Sequence, residues 1–202
     1  GLSPVYTLGD DSKGDTRRVV FLDRDGTINQ DSPDYIKSPA EFSFLPGAFA
    51  AMRRLARLAI DVIVVTNQGV IGRQMVEEEV IDEINRQMVE EIECEGGNVA
   101  GVYLCPHAPW MGCACRKPKP GMLLDAAEEL SLDLPGSYMV GDRWRDVEAG
   151  KAAGCKTILI ESGYQEKQAE NPDQQRNGQH IDHGQPVAKA FDLRSQAAVH
   201  FA

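Results

Sequence analysis

No apolar stretch in these 202 residues approaches the roughly 18 that a membrane-spanning helix needs, so no membrane partner is expected. Positive charge is scarce: 21 Lys and Arg face 31 Asp and Glu, a net charge of -10. Binding a nucleic-acid backbone calls for a basic stripe, often interleaved with aromatics, and the chain has neither, so no nucleic-acid partner is expected. A small phosphorylated ligand stays admissible, because a metal and a few local cations can reverse the field inside a cleft. The start, Gly1-Leu2-Ser3-Pro4, lacks the basic-then-apolar pattern of an export signal, and no internal repeat is visible. Cysteine is not absent, but its number is odd, and three of the five fall between Cys105 and Cys115. That crowding suits a metal site in a reducing compartment better than a disulfide framework, so a cytoplasmic protein is expected, and its expected state is a monomer.

What is present alternates. The apolar run Val19-Val20-Phe21-Leu22 is followed by a predicted helix from Pro46-Gly47 to Ala59 and a second apolar run from Ile60 to Val65. Val76, Val80, Ile81, Ile84, Met88 and Ile92 share one helical face over about 76–93, with Gly96-Gly97 as its stop. Val99 to Leu104, Ser137 to Val140 and Thr157 to Ile160 are further strands. Between them lie helices opened by Pro120 and running from Asp146 to Ala153. Strands rich in Val and Ile without polar alternation are those covered on both faces. The pattern predicts a doubly wound, mainly parallel Rossmann-like α/β sheet. Residues 1–17 are expected to be a polar leader, 18–164 the domain, and 165–202 a tail that is partly loop or disordered.

Chemistry concentrates where such a sheet places ligands, beyond the carboxyl ends of its strands. Asp23 and Asp25 leave the first strand two residues apart, a spacing that points both acids the same way in extended chain. Thr66-Asn67-Gln68-Gly69 follows the second strand, Arg116-Lys117-Pro118 lies after the third, and Gly141-Asp142-Arg143 follows the fourth. Together they offer a nucleophile, a proton carrier, neutral donors, a fixed cation and a third carboxylate, which is what phosphoryl transfer requires. For Asp25 to act as an acid it must hold a proton more tightly than free Asp, and burial beside another carboxylate pushes that way. The competing reading is a set of loop-capping carboxylates and a solvated lysine.

Cys105, His107, Cys113 and Cys115 form a Cys3His set within eleven positions, the donor set of a closed, structural zinc site. Unligated thiols are the alternative. A metal there would pin the loop that leads directly into Arg116 and Lys117.

The order Asp-x-Asp-Gly-Thr, strand-end Thr, Lys and Gly-Asp resembles the haloacid dehalogenase superfamily of aspartate-nucleophile phosphatases. The resemblance implies Asp23 as nucleophile and Asp25 as general acid and base. It also implies Mg2+ held by Asp23, Asp142 and the backbone carbonyl of Asp25, with Thr66 and Lys117 on the phosphoryl oxygens. The cysteine cluster followed by Arg116-Lys117-Pro118-Lys119-Pro120-Gly121-Met122 is similar to two groups within the superfamily. These are the D-glycero-D-manno-heptose 1,7-bisphosphate phosphatases and the histidinol-phosphate phosphatases. Asp23 through Asn29 and Tyr138 through Asp142 favour the first, which implies removal of a C7 phosphate from a small phosphorylated sugar. Asn67 and Arg116 are expected on the substrate, Mg2+ as the catalytic ion and Zn2+ as the structural one. No large cap domain is expected, since the segment from Asn29 to Phe44 suffices only for a loop over one edge of the site. Where relatives usually carry a small Ser-Gly pair after Thr-Asn-Gln, this chain has Gly69-Val70-Ile71-Gly72-Arg73. A non-catalytic binding module is the reading from a different class.

Overall fold

The computed structural model describes residues 16–161, so the expected tail and all but the end of the expected leader lie outside the described residues. Five parallel strands form one sheet in the order β3-β2-β1-β4-β5, with β1 Val19–Leu22, β2 Asp61–Asn67, β3 Val99–Cys105, β4 Tyr138–Gly141 and β5 Lys156–Leu159. Helices α1 Ala48–Arg57, α2 Gly69–Gly72, α3 Glu78–Cys94, α4 Gly121–Leu130 and α5 Trp144–Ala152 occupy the connections.

The alternation of side chains along each strand divides the core in two. Val19, Phe21, Ile63, Val65, Cys105 and Met139 pack with Met122, Leu123 and Ala126 of α4 and Ala149 of α5. Leu22, Val62, Val64 and Val140 pack on the opposite face with Met52 of α1 and Met88 and Ile92 of α3. Each Val, Leu, Ile, Phe or Met among them, taken fully out of water, contributes about 1.5–3 kcal/mol. Both faces are therefore covered, which is why the strands read as apolar runs rather than alternating ones.

The expected boundaries shift in ways that matter to the site. β2 runs to Asn67, so Thr66 and Asn67 belong to the strand itself and not to the loop after it. α2, a single turn, was absent from the sequence pattern because four residues leave no periodicity to read. α3 begins at Glu78 rather than Val76, with Glu78 and Glu79 in its first turn, where the helix dipole favours acids. Arg17, expected in the loose leader, bridges to Leu132 and is held to the domain. The 29–44 segment is a loop with one 3-10 turn, Pro39–Glu41, pinned by the bridge from Asn29 to Phe44.

Candidate functional site

The carboxyl ends of β1, β2 and β4 open into a cleft of about 310 Å3 lined by Asp23, Asp25, Asn67, Lys117 and Asp146, with Arg73 and Arg116 among its cations. After β1 the chain reverses at Gly26, whose φ of +88° belongs to the left-handed region. A Cβ at Gly26 would lie 2.2 Å from Oδ2 of Asp142, so only glycine lets the fourth-strand acid come this close to the first-strand turn. Gly141 does the same for Asp146, whose carboxylate carbon would be 2.3 Å from a Cβ there.

Carboxylate oxygens of Asp23, Asp142 and Asp146 all lie within 4.8 Å of one another. Asp146 is one of the site residues that sequence reasoning missed, having been placed only as a helix start. Its signal was its position four residues after Asp142, one helical turn from the strand end. Lys117 is buried and its Nζ lies 2.8 Å from Asp23, 2.6 Å from Asp146 and 2.8 Å from the carbonyl of Val65. Burial pulls the lysine towards neutrality, but Asp146 and Asp23 outweigh it and its pKa is raised. Burial pushes Asp23 up to about 7, with Asp146 and Asp142 adding to the rise and Lys117 opposing it. Burial and then Asp146 lift Asp142 to about 6. Three acids, two buried and one half-buried, carry more negative charge than Lys117 offsets, and hard oxygen donors in this number suit a divalent cation such as Mg2+.

Asp25 departs from expectation. Burial raises its proton affinity, but the adjacent guanidinium of Arg24 and hydrogen bonds from Asn29, Gln68 and Arg24 outweigh it, and its pKa is lowered. Arg24 is 0% exposed. Its Nη2 donates to both oxygens of Asp25 at 3.1 Å and its Nη1 donates to Asn85 of α3 at 2.9 Å. An arginine between two aspartates reads as a solvated charge in sequence; only the packing of α3 makes it a buried anchor.

Gln68, also unassigned from sequence, donates to Oδ2 of Asp25 at 2.8 Å and to Oγ1 of Thr66 at 2.7 Å. Thr66 is buried at the end of β2, where Gln68 holds its hydroxyl oxygen. Asn67 lines the cleft, but its amide donates to the Lys117 carbonyl and its oxygen accepts the Lys117 N–H, both at 3.0 Å. The side chain expected on the substrate therefore clasps the backbone of the catalytic-cation candidate.

Sγ of Cys105 lies 3.2 Å from Sγ of Cys115 and 3.6 Å from Sγ of Cys113. Nδ1 of His107 is 3.3 Å from Cys115 and 3.6 Å from Cys105. A disulfide would need about 2.05 Å. A tetrahedral zinc with ordinary bond lengths would separate its ligands by about 3.5–3.8 Å, close to what the four side chains adopt. Burial and the neighbouring thiols push Cys115 up to about 12, the repulsion that a bound cation would relieve. Arg116, which follows, donates from Nη1 to the His107 carbonyl at 2.9 Å and passes 3.1 Å from where a Cβ of Gly69 would stand. The absence of a side chain at Gly69 leaves room for that arginine.

A sequence model of the HAD-hydrolase-like family matches residues 114–183. The chain is 40% identical over 146 residues to the D-glycero-β-D-manno-heptose-1,7-bisphosphate 7-phosphatase of Bordetella bronchiseptica, covering 72% of this chain and 82% of that one. It is 40% identical over 148 residues to the Pseudomonas aeruginosa protein of the same name, covering 73% and 83%. The crystal structure of D,D-heptose 1,7-bisphosphate phosphatase from B. bronchiseptica, complexed with magnesium and phosphate, superposes with a TM-score of 0.69 at 40% identity. That match covers 71% of this chain and 80% of the other.

Proposed function

The chain belongs to the HAD-like hydrolase family that includes the D-glycero-β-D-manno-heptose-1,7-bisphosphate 7-phosphatases, and on that premise we propose that it removes the 7-phosphate of this sugar and leaves the 1-phosphate. The observation that carries the chemistry is a buried lysine clamped between Asp23 and Asp146 at the rim of a three-carboxylate cluster.

Asp23 attacks phosphorus; its oxygen bonds to phosphorus as the bond to the sugar oxygen breaks, and a proton on Asp25 passes to that oxygen. Water then attacks the aspartyl-phosphate, its proton returns to Asp25, and inorganic phosphate leaves with Asp23 regenerated. Asp23, Asp142 and the backbone carbonyl of Asp25, with Asp146 alongside, would hold Mg2+, which would supply the positive charge that lets a dianionic phosphate approach a carboxylate. Lys117 adds fixed positive charge at the same point. Thr66 accepts a hydrogen from Gln68, which leaves its own hydroxyl proton to donate to a phosphoryl oxygen. Asn67 serves by positioning Lys117. The free site holds Asp25 ionised, so the phosphoryl charge arriving beside it must raise its proton affinity. Cys105, His107, Cys113 and Cys115 would hold a structural Zn2+. The substrate is a small phosphorylated sugar.

Phosphate release from the heptose 1,7-bisphosphate and from histidinol phosphate, each with Mg2+ and with a chelator, tests this. Magnesium-dependent turnover with a strong preference for the bisphosphate is expected. Preference for histidinol phosphate would overturn the substrate, and activity that survives complete magnesium removal would overturn the metal's role.

A further inference from the structure

Three segments distant in sequence meet at Arg73. The residue caps the C-terminal end of α2, and its guanidinium carbon stands 4.7 Å from the ring centroid of Trp110 and 5.8 Å from that of Tyr35. Trp110 belongs to the cysteine loop and is 68% exposed, an unusual placement for so large an apolar ring. Tyr35 belongs to the 29–44 loop and adopts a φ of +63°, a conformation that costs a bulky residue energy and that a neighbouring anchor must enforce. Ile36 supplies that anchor, buried in a cluster with Val70 of α2 and Ile81 and Ile84 of α3.

The third side is equally fixed. The N–H of Gly72 donates to the carbonyl of Pro106 at 2.8 Å, and a Cβ at Gly72 would lie 2.5 Å from the amide nitrogen of Ala108. α2 and the cysteine loop thus touch backbone to backbone, and the residue after Gly72 is delivered against Trp110. Arg73, Tyr35 and Pro109, the neighbour of Trp110, all line the cleft.

The other cleft cations are committed differently. Lys117 is held by Asp23 and Asp146, Nη1 of Arg116 by the His107 carbonyl and Arg143 by Asp31, while Arg145 stands over the ring of Trp144, its neighbour on α5. Among the described residues, Arg73 has ring contacts but no ion pair. A guanidinium held by ring contacts alone keeps its N–H donors available, and those donors can receive an anion bidentately.

We infer that Arg73 is a specificity-determining residue that engages the anionic end of the substrate remote from the phosphoryl group being transferred, with Trp110 and Tyr35 as positioning residues that hold its guanidinium at the cleft. The inference rests on the sugar-bisphosphate reading above. A monophosphate such as p-nitrophenyl phosphate fills the reacting end only and does not need Arg73.

Steady-state kinetics on the heptose 1,7-bisphosphate and on p-nitrophenyl phosphate separate the two. Arg73→Ala is expected to raise KM for the bisphosphate about tenfold to a hundredfold, leaving kcat and the p-nitrophenyl phosphate rate near wild type. Trp110→Ala is expected to raise the same KM about threefold to tenfold, with Trp110→Phe restoring most of the loss. Equal losses on both substrates, or an unchanged KM in Arg73→Ala, overturn the inference while the function stands. A wild-type enzyme that hydrolyses p-nitrophenyl phosphate but not the bisphosphate overturns the sugar reading, and this inference with it. The chain has two tryptophans, so Trp144→Phe leaves Trp110 as the only indole reporter. Its fluorescence is expected to change saturably with heptose 1-phosphate and to lose that response when Arg73→Ala is added; no response in Trp144→Phe alone overturns the assignment.

Discussion

Gly26 illustrates how a residue without a side chain determines the chemistry of its neighbours. Its left-handed φ and the 2.2 Å approach of Asp142 mean that a methyl group there must push the carboxylate away. Gly26→Ala is therefore expected to weaken magnesium binding and to lower kcat/KM by about a hundredfold, the scale of a small misplacement in a positioned site. Magnesium-dependent kinetics check this, and wild-type behaviour would show that Asp142 has another place to sit. The acids predict a pH response. Asp23 at about 7 and Asp142 at about 6 bind protons more tightly folded than unfolded. Their contribution to stability is present at low pH and is lost as pH rises from 3.8 through about 7 in the metal-free protein. Because the cation takes the place of those protons, magnesium should raise Tm more at about pH 8 than at about pH 5.5. A larger gain at the lower pH would contradict the cluster as the metal site.

At the scale of elements, the cysteine loop is the piece whose order matters most. It contacts α2 backbone to backbone, its His107 carbonyl holds Arg116, and its end leads into Lys117, which Asn67 of β2 clasps on both sides. Ordering a loop of this length costs conformational entropy that a metal with four ligands can offset. Purified protein is expected to carry one zinc per chain by elemental analysis. Cys113→Ser should lose most of it and lower Tm, and full zinc content in that variant would remove Cys113 from the ligand set. How well elements could be read in advance followed the strength of their pattern. α3 showed its helical period and the strands their apolar runs, whereas the one-turn α2 showed neither, and it is α2 that Arg73 caps. β2 outran its expected end because Thr66 and Asn67 are polar, and an apolar run gives no sign that pairing with β3 continues through Asn67.

For the whole molecule, the all-parallel, doubly wound sheet was legible because burial on both faces leaves unbroken apolar runs. The site was legible in part. Asp23, Asp25, Lys117 and Asp142 stand at strand exits or just before proline, where fold geometry alone gives them meaning. Arg24, Gln68 and Asp146 escaped because their roles depend on partners 61, 43 and 29 positions away: Asn85, Asp25 and Lys117. Asp25 was misjudged in its proton affinity because Arg24, Asn29 and Gln68 together outweigh burial, and only the fold turns the adjacent Arg24 and nearby Asn29 onto it. Local pattern reports what a residue is and where its strand ends; it does not report which distant side chain will be packed against it. The most direct test of the account is to quench the enzyme during turnover of the bisphosphate with magnesium and reduce it with borohydride, which converts an aspartyl-phosphate to homoserine. Peptide mass mapping should find that conversion at Asp23 alone and only with substrate present. Conversion at Asp25, Asp142 or Asp146 instead, or none under conditions of rapid turnover, would contradict it.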